Sequence, residues 1–284
     1  MRPLVRIALS AATALVLARF AERYLPPETA LAASAAATAG ESPRTEAACP
    51  AGTLPDHGAC IPVPLEPFDD GPSPEVEENA HRDRAGRLVR YEHIPRRPER
   101  PADYRRYVLP IPVSSEQSFA TSGYDLDLPD AEQRRGSHLK AVGHGGVDLA
   151  APRGTPVHVV RLEHQVGPAE VLFVGELFGT SVVTRHAVTE AGVARDYLII
   201  HGHLERAATG LRVGDAAPDG ATLGFVGDTG SAGAVHLHFE TRRARDDVRL
   251  RELGPRELVH NAKTIACDPR NVLEFSSGEP PAPR

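Results

Sequence analysis

Hydrophobic and polar positions divide the chain into three textures. Ile7 to Ala18 is an uncharged, largely apolar run of twelve residues, with Arg2 and Arg6 before it and Arg19, Glu22 and Arg23 after it. Between Pro43 and Pro112 lie thirteen of the 26 prolines, an acidic run from Asp69 to Glu78 and a basic run from Arg96 to Arg106. That composition buries little apolar surface and predicts a largely irregular linker. From about Val108 short β-branched and aliphatic runs recur: Pro156–Val160, Val171–Val174, Ser181–Thr184, Tyr197–Ile200 and Leu223–Val226. Sixteen of the 25 glycines fall between Gly143 and Gly233, so turn residues separate these runs. Short strands at near-regular spacing predict an all-β, antiparallel, sandwich-like domain. No long stretch of 3.6-residue period competes, although Asp246 to Leu258 has room for a short helix.

The resulting organisation has four parts. Residues 1–35 are expected to be a signal peptide or N-terminal anchor: a basic start, a short apolar stretch, then small residues, with Val16-Leu17-Ala18 as a cleavage site. Residues 36–107 form the linker and carry a small loop between Cys49 and Cys60. A disulfide closing that loop would contribute roughly 2–3 kcal/mol, and such bridges persist in exported proteins. Residues 108–275 are the folded domain, and 276–284, with three prolines, a flexible tail. Cys267 is left over and reads as a small core residue.

Charge narrows the function. The 284-residue chain carries a net charge of −6 and no basic stripe, which argues against nucleic acid as partner. No apolar run reaches the roughly 18–20 residues that a spanning helix needs.

Candidate chemistry lies in three histidine clusters: Gly143-His144-Gly145-Gly146-Val147-Asp148, His201-Gly202-His203-Leu204 and His236-Leu237-His238-Phe239-Glu240. Residues two apart on a strand share a face, so His236 and His238 project together, and Glu240 alternates onto their side. There Glu240 either orients a neighbouring imidazole or faces solvent. Two adjacent imidazoles on an apolar strand are costly unless a metal or hydrogen bonds use their nitrogens. In a fully extended strand the Cα atoms of His144 and Asp148 would lie about 13 Å apart. Gly145-Gly146 disfavours a helix and lets the backbone bend so that the two side chains converge. An imidazole–carboxylate–imidazole set with an open fourth position describes a catalytic zinc site, whereas magnesium or calcium favours more carboxylates.

These motifs, in this order, resemble the lysostaphin/LytM-type zinc metallopeptidases, which mostly cut peptidoglycan peptides. The family's H-x-G-x-D matches His144, Gly146 and Asp148, and its G-T-P-V matches Gly154 to Val157. Its H-x-H matches His236 and His238, after the glycine-rich Gly227-Asp228-Thr229-Gly230. The family's Y-x-H-L matches Gly202, His203 and Leu204, with His201 where tyrosine is usual. The resemblance spans roughly Ser118 to Arg243. It implies an antiparallel β domain with an open groove, one zinc ion held by His144, Asp148 and His238, and His203 and His236 as catalytic histidines.

The expectation is therefore an exported zinc metalloendopeptidase of the periplasm, cell envelope or extracellular space, with peptidoglycan stem or cross-bridge peptides as substrate. Zinc lowers the pKa of water towards about 7 and polarises the scissile carbonyl. One of His203 and His236 takes the proton, and the other stabilises the oxyanion or protonates the leaving amine. Two alternatives stay open: a protease of extracellular proteins, and a non-catalytic domain of the same fold that binds the wall or activates other hydrolases. Ser122 to Gly136 and Ala187 to Arg195 are expected as loops walling the groove.

Overall fold

A computed structural model describes residues 53–56, 59–62, 75–82, 85–112, 120–126 and 143–276. The expected leader, Cys49 of the expected Cys49–Cys60 bridge, most of the 122–136 loop and residues 277–284 lie outside them.

β1 (Thr53–Asp56) and β2 (Ala59–Pro62) pair antiparallel as a two-stranded ribbon. The remaining strands form one sheet: β3 (Glu77–Arg82), β4 (Leu88–Ile94), β5 (Ala120–Ser122), β6 (Gly146–Leu149), β7 (Pro156–His158), β8 (Ala169–Leu177), β9 (Gly179–Glu190), β10 (Val193–Ala207), β11 (Ala216–Ala217), β12 (Thr222–Val226), β13 (Leu237–Ala244) and β14 (Thr264–Cys267). Its main path runs β11-β8-β9-β10-β13-β14-β4-β3. β12 joins β10 to β7, and β6 joins β13 to β5. The expected all-β class holds. Every described pairing is antiparallel except that of β14 with β4, so the sheet is mixed.

Hydrophobic alternation explains the centre of the sheet. On β10, Tyr197 and Ile199 pack with Val182, Phe239 and Leu237 on one face. Leu198 and Ile200 pack on the other with Val183, Leu250, Leu258 and Val259. The chain after β13 therefore covers one face, and β10 and β13 are buried on both sides. Asp246 to Leu258 contributes no α-helix to this cover, only a 3-10 turn at Leu250–Glu252. Gly254 and Pro255 follow at once, and proline cannot donate the backbone bond a longer helix would need.

Two further expectations are corrected. The linker expected to 107 is irregular only in part, because β3 and β4 extend the sheet beyond β14. Arg100, Tyr104 and Tyr107 are buried, and Arg100 donates to Glu163 Oε1 at 3.0 Å. Tyr107 bridges to Phe275, with Val108 N–H on Glu274 O and Ser276 N–H on Arg106 O. A hydrophobicity pattern misses β3 because Glu77–Arg82 is an almost wholly exposed polar strand. Charged residues suit such a sheet edge. Ala187 to Arg195 is likewise no loop: its residues pair across β9 and β10 up to a tight turn at Ala191 (φ 48°) and Gly192 (φ 74°).

Candidate metal centre

The site is assembled on the face of β13 that Leu198 and Ile200 of β10 share. Asp148 lies directly opposite His238 in the β6–β13 register, so their side chains meet across the ladder. His144 precedes β6 and is held by backbone hydrogen bonds in both directions with Asp125. Gly145 and Gly146 separate the two residues, and close approach explains them better than a bend. A Cβ at Gly146 would lie 2.5 Å from Phe239 O, and one at Gly145 would lie 2.8 Å from Glu240 Oε1. The glycines thus let this segment press against β13, which brings His144 within reach of His238.

The three side chains converge on one point. His144 Nε2 is 3.0 Å from Asp148 Oδ1 and 3.4 Å from His238 Nδ1, and His238 Nδ1 is 3.0 Å from Asp148 Oδ1. For a tetrahedral ion with bonds of about 2.0–2.1 Å, ligand atoms stand about 3.3–3.4 Å apart. The triangle is close to that size.

Hydrogen bonding at the other nitrogens fixes what these atoms offer. His144 Nδ1–H donates to Gly123 O at 2.6 Å, and His238 Nε2–H donates to Glu240 Oε2 at 3.1 Å. In the neutral rings the facing nitrogens present lone pairs to a carboxylate oxygen, three acceptors aimed at one another. The point between them demands positive charge, either a cation or a proton that turns a facing nitrogen into a donor to Asp148. The electrostatics of the buried groups express the same demand. Burial pushes His238 down, but hydrogen bonds to Asp148 and Glu240 outweigh it and raise its pKa to about 9. Asp148 is also penalised by burial, yet its bonds to His144 and His238 carry it well below the usual carboxylate range. Among the described residues, this is the cluster of histidine, cysteine and carboxylate groups able to hold a metal ion.

His203 and His236 flank the triangle. Their ring centroids are 4.7 Å apart, that of His203 lies 5.9 Å from that of His238, and His236 Nε2 lies 3.6 Å from Asp148 Oδ1. Each is tied through Nδ1–H to a backbone carbonyl, Thr229 O at 2.8 Å and Ala234 O at 2.9 Å. Both Nε2 atoms are left as acceptors. Burial, and then the charge of His238, lowers the pKa of His203 to about 4.

His203 reaches the site through a backbone irregularity. On a regular strand it would share a face with His201, yet His201 packs against Phe239 on the opposite side, ring centroids 5.7 Å apart. The β9–β10 register slips between His201 and Leu204, and His203 adopts φ 58°. A left-handed non-glycine residue costs of order 1–3 kcal/mol and clusters at functional sites. Gly202 permits the close packing beneath: a Cβ there would meet Phe178 Cβ at 2.9 Å and His238 Cβ at 3.2 Å. His201, at the family's tyrosine position, is fully buried and does not join the cluster.

Sequence reasoning left Glu240 between two roles and overlooked Phe178 and Arg242. Glu240 is buried and bonded to His238 on one oxygen and to Arg242 on the other, at 2.6 Å. Burial opposes its ionisation, but these partners bring its pKa down to about 2. Phe178 packs its ring 4.7 Å from that of His238.

Comparison with known proteins gives this geometry a context. Residues 142–250 match peptidase family M23. The chain is 29% identical over 117 residues to the uncharacterized lipoprotein YgeR of Escherichia coli, covering 40% of each protein. It is 34% identical over 101 residues to the DD-carboxypeptidase/endopeptidase Mpg of Neisseria meningitidis, covering 35% of this chain and 20% of that protein. The chain thus spans well under half the length of these relatives. Among solved structures it is similar to a mutant catalytic domain of the prophage-encoded M23 protein EnpA from Enterococcus faecalis. That match has 22% identity and a TM-score of 0.33, and covers 49% of this chain and 90% of that domain.

Proposed function

Residues 142–250 belong to peptidase family M23, and on that premise we propose that the protein is an exported zinc metalloendopeptidase cutting stem or cross-bridge peptides of peptidoglycan. The observation that carries the reading is the convergence of His144 Nε2, Asp148 Oδ1 and His238 Nδ1 beside two further imidazoles. These three atoms are the zinc ligands. When bound, zinc supplies a Lewis acid for the scissile carbonyl and lowers the pKa of water.

The chain's own residues do the rest. His203 and His236, oriented by Thr229 O and Ala234 O, present Nε2 lone pairs toward the same space. One accepts the proton of the attacking water on Nε2 and, now carrying Nε2–H, passes that proton to the leaving amine; the other stabilises the developing oxyanion by donating from Nε2 in its protonated form. Glu240 keeps the Nε2–H of His238 engaged, so that Nδ1 remains the ligating atom. A peptide substrate is supported by the likeness to the DD-carboxypeptidase/endopeptidase of Neisseria meningitidis, and an envelope location by the likeness to a lipoprotein of Escherichia coli.

The test is digestion of purified peptidoglycan and of casein by the zinc-loaded and chelator-treated protein, with released fragments identified by mass spectrometry. Zinc-dependent release of muropeptide fragments with new amino termini is the expected result. Cleavage of casein alone makes it a protease of extracellular proteins. Zinc binding with no cleavage of either substrate overturns the enzyme reading in favour of a wall-binding or hydrolase-activating domain.

A further inference from the structure

Arg242 is among the largest wholly buried side chains of the protein, and each of its bonds is accounted for. Nη1 donates to Glu240 Oε1 at 2.6 Å, Nε to Thr264 Oγ1 at 2.7 Å, and Nη2 to Asn261 Oδ1 at 2.8 Å and Thr264 O at 2.9 Å. Thr264 Oγ1 in turn donates to Leu258 O at 2.7 Å. The Asn261 carbonyl is itself gripped by Arg245, through Nε at 3.0 Å and Nη2 at 2.8 Å, and Arg245 also pairs with Glu92 of β4.

A guanidinium presents its donors in a rigid planar fork, so four bonds leave it no rotational freedom. The carboxylate it faces inherits that rigidity. Glu240 has one oxygen on Arg242 and the other on His238 Nε2–H, in a slot that a side chain at Gly145 would fill. Whatever moves Arg242 therefore moves the acceptor that sets the ring orientation of His238. Burying an ion pair is weak evidence for a stabilising role, because well-packed apolar residues often serve as well. A reason beyond stability is needed for so costly a group behind the site.

We infer that Arg242 is a positioning residue for His238, acting through Glu240 and anchored by Asn261 and Thr264, both beyond the segment that matches the peptidase family. The inference rests on the reading of His238 as a metal ligand. It makes β4 and the 258–264 segment part of the site's rear support.

Zinc affinity of the full chain, measured by competition with a chromophoric chelator, tests it in wild type, Arg242→Met, Glu240→Gln and the double variant. Removing an outer partner of a ligand typically costs 10–100-fold in metal affinity. Each single variant is expected to weaken binding by that factor, and the double variant to bind no more weakly than the worse single. Arg242→Met at wild-type affinity, or losses that multiply in the double variant, would overturn the inference. Should Arg242→Met fail to give a cooperative melt, Asn261→Ala replaces it in the same cycle, with a loss of a few-fold expected. His238→Ala serves as the reference. If wild type and His238→Ala bind zinc equally, the metal reading itself falls, a different result from an intact site indifferent to Arg242.

Discussion

The sheet carries histidines on both faces, and the two sets are built in opposite ways. On one face His144, His238, His203 and His236 each tie one nitrogen to a fixed acceptor and turn the other into a common space. On the other face His186 uses both nitrogens within the core, Nε2 with Thr184 Oγ1 and Nδ1 with Gln165 Oε1, each at 2.8 Å. His201 approaches Val182 O through Nδ1 and buries Nε2 without a hydrogen-bond partner among the described residues. A histidine's chemistry here is decided by what its second nitrogen meets, and burial does not separate the sets. His238 and His201 are both essentially inaccessible.

The largest effect expected from this contrast is at His203. Replacing it with alanine removes a general acid–base group and should lower the hydrolysis rate by about 10²–10⁴-fold. Zinc stoichiometry should stay unchanged, because His203 is outside the ligand triangle. Parallel assays of peptide release and bound metal check this. A variant that loses both would place His203 among the ligands and break the division of roles on the site face.

Much of that face was legible beforehand. Period-two alternation placed His236, His238 and Glu240 together, whereas Asp148 stands opposite His238 through the β6–β13 register, which no local pattern announces. The run at Tyr197–Ile200 became a central strand because β-branched and aliphatic residues bury well on both sides of a sheet, and Val171–Val174 became part of β8, one strand in from the β11 edge. What escaped was whatever depends on a local break in the pattern. His203 turns to the site through a register slip and a positive φ, which nothing in His-Gly-His-Leu announces. Arg242 reads as a surface charge until its four partners from other segments are assembled around it. β3 is polar and exposed, so it lacks the signal by which strands are recognised.

The opposite face supplies the next effect. Burial, and then the charge of His201, pushes His186 down to about 3, and burial pushes His201 down to about 4, from an ordinary value of 6.5. Both rings are neutral in the folded protein. The unfolded chain takes up a proton first as pH falls, so their contribution is intact above pH 6.5 and is lost as pH drops from there towards 4 and 3. Between pH 7 and 5 each histidine should remove about 2 kcal/mol of stability. Urea unfolding at the two pH values measures the loss, and in His186→Gln it should shrink by about that amount. An unchanged pH dependence would show that His186 is not the neutral core group described here.

A smaller effect probes the wall between the faces. In Gly202→Ala the new methyl would press on Phe178 Cβ and His238 Cβ, neither at the free end of a flexible side chain. Overpacking of this kind costs typically 1–3 kcal/mol. Because His238 is one of the crowded groups, zinc affinity should fall about tenfold along with the melting temperature. Affinity at the wild-type level despite a lower melting temperature would mean that the ligand geometry tolerates displacement of its backbone.

The smallest effect should come from His201, which stands two residues from His203 in the sequence yet lies on the opposite face. His201→Leu removes a buried Nε2 that has no partner among the described residues, which relieves a desolvation cost of about 1–3 kcal/mol. It also forfeits the weak bond to Val182 O, worth about 0.5–1.5 kcal/mol, and keeps an apolar contact for Phe239. These terms nearly cancel, so stability at pH 7 should change by less than about 1 kcal/mol and hydrolysis by less than about twofold. At pH 5 the variant should outlast wild type by about 2 kcal/mol, since the unfolded chain no longer gains a proton at that position. An activity loss approaching that of His203→Ala would instead mean that the rear face communicates with the site through Phe239 and β13, and the separation of the two histidine sets would fail.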